Sequence, residues 1–189
     1  MRTHLRIGVS LLVLLVGSVA LTAQTPAPAA YLTIAAELQP IDPAWVQSVE
    51  SRLARFERDT QIKVLMRGHA ASPTDAEDSQ PGAYMRGLAA KLGTAQAGVL
   101  AVYFADAQEW RIWFGDDLTA RFVGRPGTAK EFTESGAMHD AKEAWLTGVF
   151  DQATKAFESR SAMEARTLAQ FQAEALIDGL VARLGTATK

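Results

Sequence analysis

Acidic side chains are the residues most able to do chemistry in this chain. Asp42, Asp75, Glu77, Asp78, Asp106, Asp116 and Asp117 all fall in loops or at helix starts. A divalent cation such as Ca2+ takes several hard oxygen ligands at one point, so clustered Asp and Glu on loops are the pattern to look for. Asp42, Asp106, Asp116 and Asp117 are the metal-ligand candidates. Each has a competing local duty: Asp42 as an N-cap, Asp106 as a turn residue, Asp116 as a cap for the helix that follows. If the strands ending at Met66 and Phe104 run parallel, their carboxyl edge collects Asp42, the 75–78 loop and Asp106. Asp116 and Asp117 then emerge at the opposite edge, and one ion cannot readily use both sets.

Other chemistries find less support. The stretch from Asp75 lacks Gly at the sixth position of an EF-hand loop and has Arg86 at the twelfth. Phosphoryl transfer needs a nucleophile or metal-held water beside cationic groups. Asp116-Asp117-Leu118-Thr119 lacks the alternating Asp-x-Asp spacing of an aspartyl nucleophile, and Gly124 to Lys130 misses the P-loop spacing. His139-Asp140 has only His69 as a second histidine in the mature chain, so it reads as a surface pair. No Gly-x-Ser-x-Gly elbow is present. Trp45, Trp110, Trp113 and Trp145 read as core residues rather than stacking platforms.

The elements that must position these residues follow from periodicity. Tyr31 to Leu38 reads as an edge strand ended by Pro40. Asp42-Pro43 starts a helix running to about Asp59, with Trp45, Val46, Val49, Leu53 and Phe56 within one arc. Ile62, Val64 and Met66 give a short strand, and Gly68 to Pro81 a polar loop. A second helix opens at Pro81-Gly82 and stops at Gly93. Gly98 to Phe104 is apolar on both sides, as a central strand should be, and Trp110 to Phe114 returns as its hairpin partner. A short helix near Asp116 precedes the break at Gly124 to Gly127. Met138 to Phe157 is amphipathic.

The final helix, Ser161 to Leu184, has apolar residues on two sides. Either it bends near Gly179 to follow its own domain, the preferred reading, or its second apolar side meets a partner chain or a membrane surface. The expected fold is α/β: a small mixed β-sheet with a βαβ unit and an antiparallel hairpin strand, flanked by helices, plus a C-terminal helix. Its crossover should be right-handed.

The balance of 48% hydrophobic and 21% charged residues is that of a globular chain, and the absence of Cys excludes disulfides and thiolate chemistry. Arg2 and Arg6 precede an apolar run from Ile7, followed by small residues, which gives a signal peptide over 1–23. Its removal moves the formal net charge from −2 to −4. That balance argues against nucleic acid. The expected organisation is a signal peptide at 1–23, a spacer with an edge strand at 24–40, an α/β domain at 41–158 and a C-terminal helix at 159–189. The expected location is periplasmic or secreted.

Thr60-Gln61-Ile62-Lys63-Val64, Tyr84, Gly93, Gly98-Val99-Leu100, Arg111-Ile112 and Gly115 stand in an order and with gaps that resemble the TPM domain family, the TLP18.3, Psb32 and MOLO-1 type. The resemblance covers about 120 residues, from Asp42 to Phe157. It is that of a divergent member: no Gly follows Thr60, and Asp117 replaces the second Gly after the hairpin. The resemblance implies an exported accessory or binding domain serving membrane-associated complexes, with Ca2+ binding in some members and weak phosphatase activity in others. Whether this chain is an enzyme stays open at this point.

Overall fold

The computed structural model describes residues 30–160 and 163–185; the expected signal segment and most of the spacer lie outside the described residues. Strands β1 (Leu32–Ile34), β2 (Lys63–His69), β3 (Gly98–Phe104) and β4 (Glu109–Phe114) form one sheet in that order. β1, β2 and β3 are parallel, and β4 is antiparallel to β3. Helices α1 (Pro43–Thr60), α2 (Ala83–Lys91), α3 (Thr119–Val123), α4 (Ala129–Glu134), α5 (Ala137–Arg160) and α6 (Leu168–Leu184) surround it. The mixed, helix-flanked sheet expected from the sequence is the fold observed.

Strand β3 is apolar at every position, so both of its faces must be covered. Val99 and Ala101 lie with Val64, Met66, Ile112 and Phe114 on one face, beneath α1, α5 and α6. Leu100, Val102 and Phe104 lie with Leu65 on the other, beneath Met85 and Ala89 of α2. Since β1, β2 and β3 succeed one another in a single direction while α1 and α2 lie on opposite faces, the two crossovers are of opposite hand. One of them therefore departs from the right-handed rule.

Local chemistry sets the ends of the elements. Asp42 Oδ1 accepts the Ala44 N–H at 2.9 Å and Pro43 occupies the first turn, which starts α1 as the sequence predicts. The edge strand is shorter than expected: pairing stops after Ala35 donates to Gly68 O, and Ala36–Leu38 form a single 3-10 turn. The outer side of β1 is closed by α1, because Glu50 accepts the N–H groups of Tyr31 (3.1 Å) and Leu32 (2.6 Å).

Helix α6 starts at Leu168, later than the sequence reading placed it. The start signal is a capping box in which Thr167 Oγ1 accepts the Gln170 N–H and Gln170 Oε1 accepts the Thr167 N–H. The helix runs unbroken through Gly179 and packs on its own domain, as the preferred reading expects. That glycine lets α5 approach: a Cβ there would stand 2.9 Å from both Trp145 and Val149. Both apolar sides of α6 pack inward, with Phe171, Ala173, Leu176, Ile177, Leu180 and Leu184 buried, while Val181 stays exposed. Trp45 Nε1 donates to Glu174 at 3.0 Å, and Arg183 Nε to Phe122 O at 2.8 Å, tying α6 to α1 and α3.

If α6 is part of the common core, Leu176→Ala should lower the unfolding free energy by about 2–5 kcal/mol. Gly179→Ala should cost about 1–3 kcal/mol through overpacking, and Val181→Ala, on the exposed side, should stay within about 0.5 kcal/mol. Urea denaturation checks all three. An unchanged main transition in Leu176→Ala would make α6 a separate appendage.

Candidate functional site

The four candidate metal ligands do not meet. Asp42 is committed to the start of α1. Asp106 clamps the loop after β2, accepting the Ser72 N–H at 3.0 and 2.9 Å, the Ser72 Oγ–H at 2.8 Å and the Ala107 N–H at 2.8 Å. Asp116 and Asp117 lie in the 3-10 turn Asp116–Leu118 beyond the far end of β4. The six residues of β4 separate them from Asp106 by roughly 20 Å. Among the described residues no three His, Asp or Glu side chains form a group able to hold an ion. The loop carboxylates have structural work too: Glu77 accepts from Thr74 N–H at 2.9 Å, and Asp78 bonds both Tyr84 N–H (3.1 Å) and Arg111 (2.9 Å).

A different site emerges from β4. Gly115 N donates to Gly98 O at 2.8 Å, and Phe114 stands opposite Val99. Antiparallel pairing alternates, so Trp113, Arg111 and Glu109 bond β3 while Phe114, Ile112 and Trp110 turn their N–H and C=O groups outward. No further strand pairs with them. Side chains alternate as well: Trp110, Ile112 and Phe114 enter the core under α5 and α6, whereas Arg111 and Trp113 lie on the side of α2.

This open edge forms the floor of a groove of about 530 Å³. Pro81, Met85 and Arg86 wall it on one side, Met138, His139 and Lys142 on the other, and Asp116 lies at one end. Arg111 is held there by Glu109 (3.1 Å) and Asp78 (2.9 Å), with its guanidinium 5.1 Å from the Phe104 ring centre. The hydrogen bond that Arg111 donates to Glu109 raises its pKa above the ordinary arginine value. Arg86 sits over the Trp113 ring at 5.8 Å and has no carboxylate within 4.0 Å. Trp113 Nε1 is buried with no acceptor. Burial pushes the Lys142 ammonium pKa down, with Glu143 opposing that shift.

Behind the α2 wall, Tyr84 Oη lies 3.1 Å from His69 Nδ1, and burial, then the Arg67 charge, lowers the His69 pKa. Arg67 itself is 9% exposed and donates to the carbonyls of Tyr31 (3.0 Å) and Met66 (2.7 Å). A second, apolar cleft of about 110 Å³ lies between Leu38, Trp45, Tyr103 and Trp110. Its lining is nearly free of polar groups, so it offers no chemistry beyond apolar contact.

The sequence reading missed the groove because it looked for carboxylates and took all four tryptophans as core. Trp45 and Trp110 are buried, but Trp113 lines the groove. The parity of Glu109–Phe114 carried the signal: its polar positions fall on the face opposite Trp110, Ile112 and Phe114. The Gly124 to Lys130 stretch is structural, Gly124 ending α3 in a left-handed conformation (φ 84°) and Thr128 capping α4.

No protein-family model matches the chain, and no curated protein matches it. Among solved structures, the chain is similar to the N-terminal domain of a protein from P. gingivalis, with 15% identity, a TM-score of 0.50 and coverage of 85% of this chain and 87% of that one. It also matches the N-terminal domain of the cg2496 protein from Corynebacterium glutamicum, with 9% identity, a TM-score of 0.48 and coverage of 89% and 90%. At this identity the likeness to the P. gingivalis domain speaks to the fold alone.

The donors around Asp106, the Ser72 backbone N–H foremost, hold its carboxyl below the ordinary value of 3.8. A carboxylate depressed in the folded state adds stability that is complete above its unfolded-state pKa and is lost as pH falls through the folded value. The urea midpoint of the wild type should therefore fall more steeply than that of Asp106→Asn between about pH 5 and about pH 2. The difference should be small, since the group is exposed. Parallel profiles would mean that the clamp does not persist in solution.

Proposed function

We propose that the chain is the exported accessory or binding domain that its resemblance to TPM proteins implies, and that it binds by taking an extended peptide segment against the free edge of β4. One observation carries this reading: a six-residue edge strand, whose outward backbone groups pair with no further strand among the described residues, lines the base of a groove. Open edges template the pairing of another chain, and folds usually blunt them. The opposite edge is blunted here, because β1 has three residues and Glu50 takes its outward Leu32 N–H. At β4 no comparable cap is present among the described residues. Strand addition uses backbone hydrogen bonds for affinity and side-chain pockets for selectivity, and the groove supplies both.

The divalent-cation and phosphatase readings rest on the resemblance and on loop carboxylates that form no group of three among the described residues. A metal-assisted hydrolase needs carboxylates and cations converging on one reacting centre. In this fold the candidate carboxylates are divided between the two ends of β4.

Selection from a random dodecapeptide library against the full chain, followed by amide chemical-shift mapping, tests the proposal. Enriched peptides should shift the backbone amides of Trp110, Ile112 and Phe114 far more than those of β1. Enrichment of peptides that map elsewhere, or no enrichment, would overturn it.

A further inference from the structure

We infer that the segment taken at β4 carries an acidic side chain, received on the α2 side by Arg86 and the indole N–H of Trp113, and a second acceptor of opposite parity received by Lys142. This rests on the groove reading above and adds the chemistry of its occupant. Charge complementarity carries the argument. Three donors line the groove with no acceptor bonded to them: Trp113 Nε1, the Arg86 guanidinium and Lys142 Nζ.

Trp113 Nε1 is buried and Lys142 half-buried, whereas Arg86 is exposed and is set apart only by lying over the Trp113 ring. Trp113 Nε1 is buried beside the groove with no acceptor among the described residues, and an unmade hydrogen bond there costs free energy. Arg86, stacked over that same ring, places a cation beside the orphaned N–H. A carboxylate arriving there would accept from the indole and pair with the guanidinium, which presents a planar fork of donors suited to it. Lys142 is partly withdrawn from water, which weakens its charged form until a counter-charge arrives.

Arg111 is excluded from this role because Glu109 and Asp78 already occupy its donors. Asp116 and Glu143 also line the groove, both exposed and neither in an ion pair among the described residues. They set a limit on how much negative charge the occupant can carry, which favours one or two acids within an otherwise uncharged strand. Parity fixes their arrangement. Successive residues of an added strand point to opposite sides, so the residue that reaches Arg86 and Trp113 and the residue that reaches Lys142 must be an odd number of positions apart.

The library-selected peptides decide the matter. Asp or Glu should recur at one position, and its exchange for Gln or Asn should weaken binding tenfold or more. Arg86→Gln and Trp113→Phe should each abolish the preference at that position, with Trp113→Phe removing the donor while keeping an aromatic ring beneath Arg86 and leaving the amide spectrum away from the site in place. Lys142→Gln should instead relax a position of opposite parity. In the wild type, the Trp113 indole resonance should shift on binding the acidic peptide and not on binding its amide counterpart. Peptides that shift the β4 amides but tolerate Glu→Gln without loss would overturn the acidic inference and leave the groove reading standing. Self-association of the free chain through β4 would make the occupant a second copy and overturn it as well. Absence of any peptide mapping to β4 removes both.

Discussion

A sheet must dispose of the N–H and C=O groups along its two edges, and the way this chain does so determines where it can act. The doubly apolar β3 demands cover on both faces, which draws α1, α5 and α6 to one side and α2 to the other. The helices are thereby committed to the faces. Strand β1 ends its edge by being short and by surrendering its outward N–H to Glu50. Strand β4 has neither device, and the walls on either side turn its edge into a groove rather than a flat surface. Those walls also limit access, since a second sheet edge must pass between α2 and α5 to pair with it.

Electrostatics around β4 divides into a settled part and an unsettled one. Arg111, Asp78 and Glu109 satisfy one another and hold the start of α2 through the Tyr84 N–H. Arg86, Trp113 and Lys142 carry donors with no acceptor among the described residues. Of these the Trp113 indole N–H is buried, and a buried donor without an acceptor costs folding free energy that a bound acceptor would recover. Arg67 is a contrasting case: buried on the sheet, it is served by two backbone carbonyls that the fold itself provides.

Much of the architecture was legible in the sequence because it rests on local periodicity. The span of β3, the Asp42-Pro43 start of α1 and the hairpin into β4 follow from residues adjacent in the chain. The boundary of α6 was misjudged even though its signal, the Thr167 and Gln170 capping box, was present in the sequence. The two apolar sides of α6 became interpretable only when its packing against α5 was in place, because Gly179 and Trp145 are far apart in sequence. The candidate site was less legible. Asp42, Asp106 and Asp116 were identified by type, but whether carboxylates converge depends on which strand end each loop leaves, and their local hydrogen bonds are invisible to composition. The groove depends on β4 being the outermost strand, a property of the whole sheet and not of any segment.

Amide hydrogen exchange along β4 in the free, monomeric chain tests the central claim most directly. The account predicts alternation: slow exchange at Arg111 and Trp113, which bond β3, and fast exchange at Trp110, Ile112 and Phe114, which face the groove. Uniform protection at all five positions would show an edge already covered, and would contradict it.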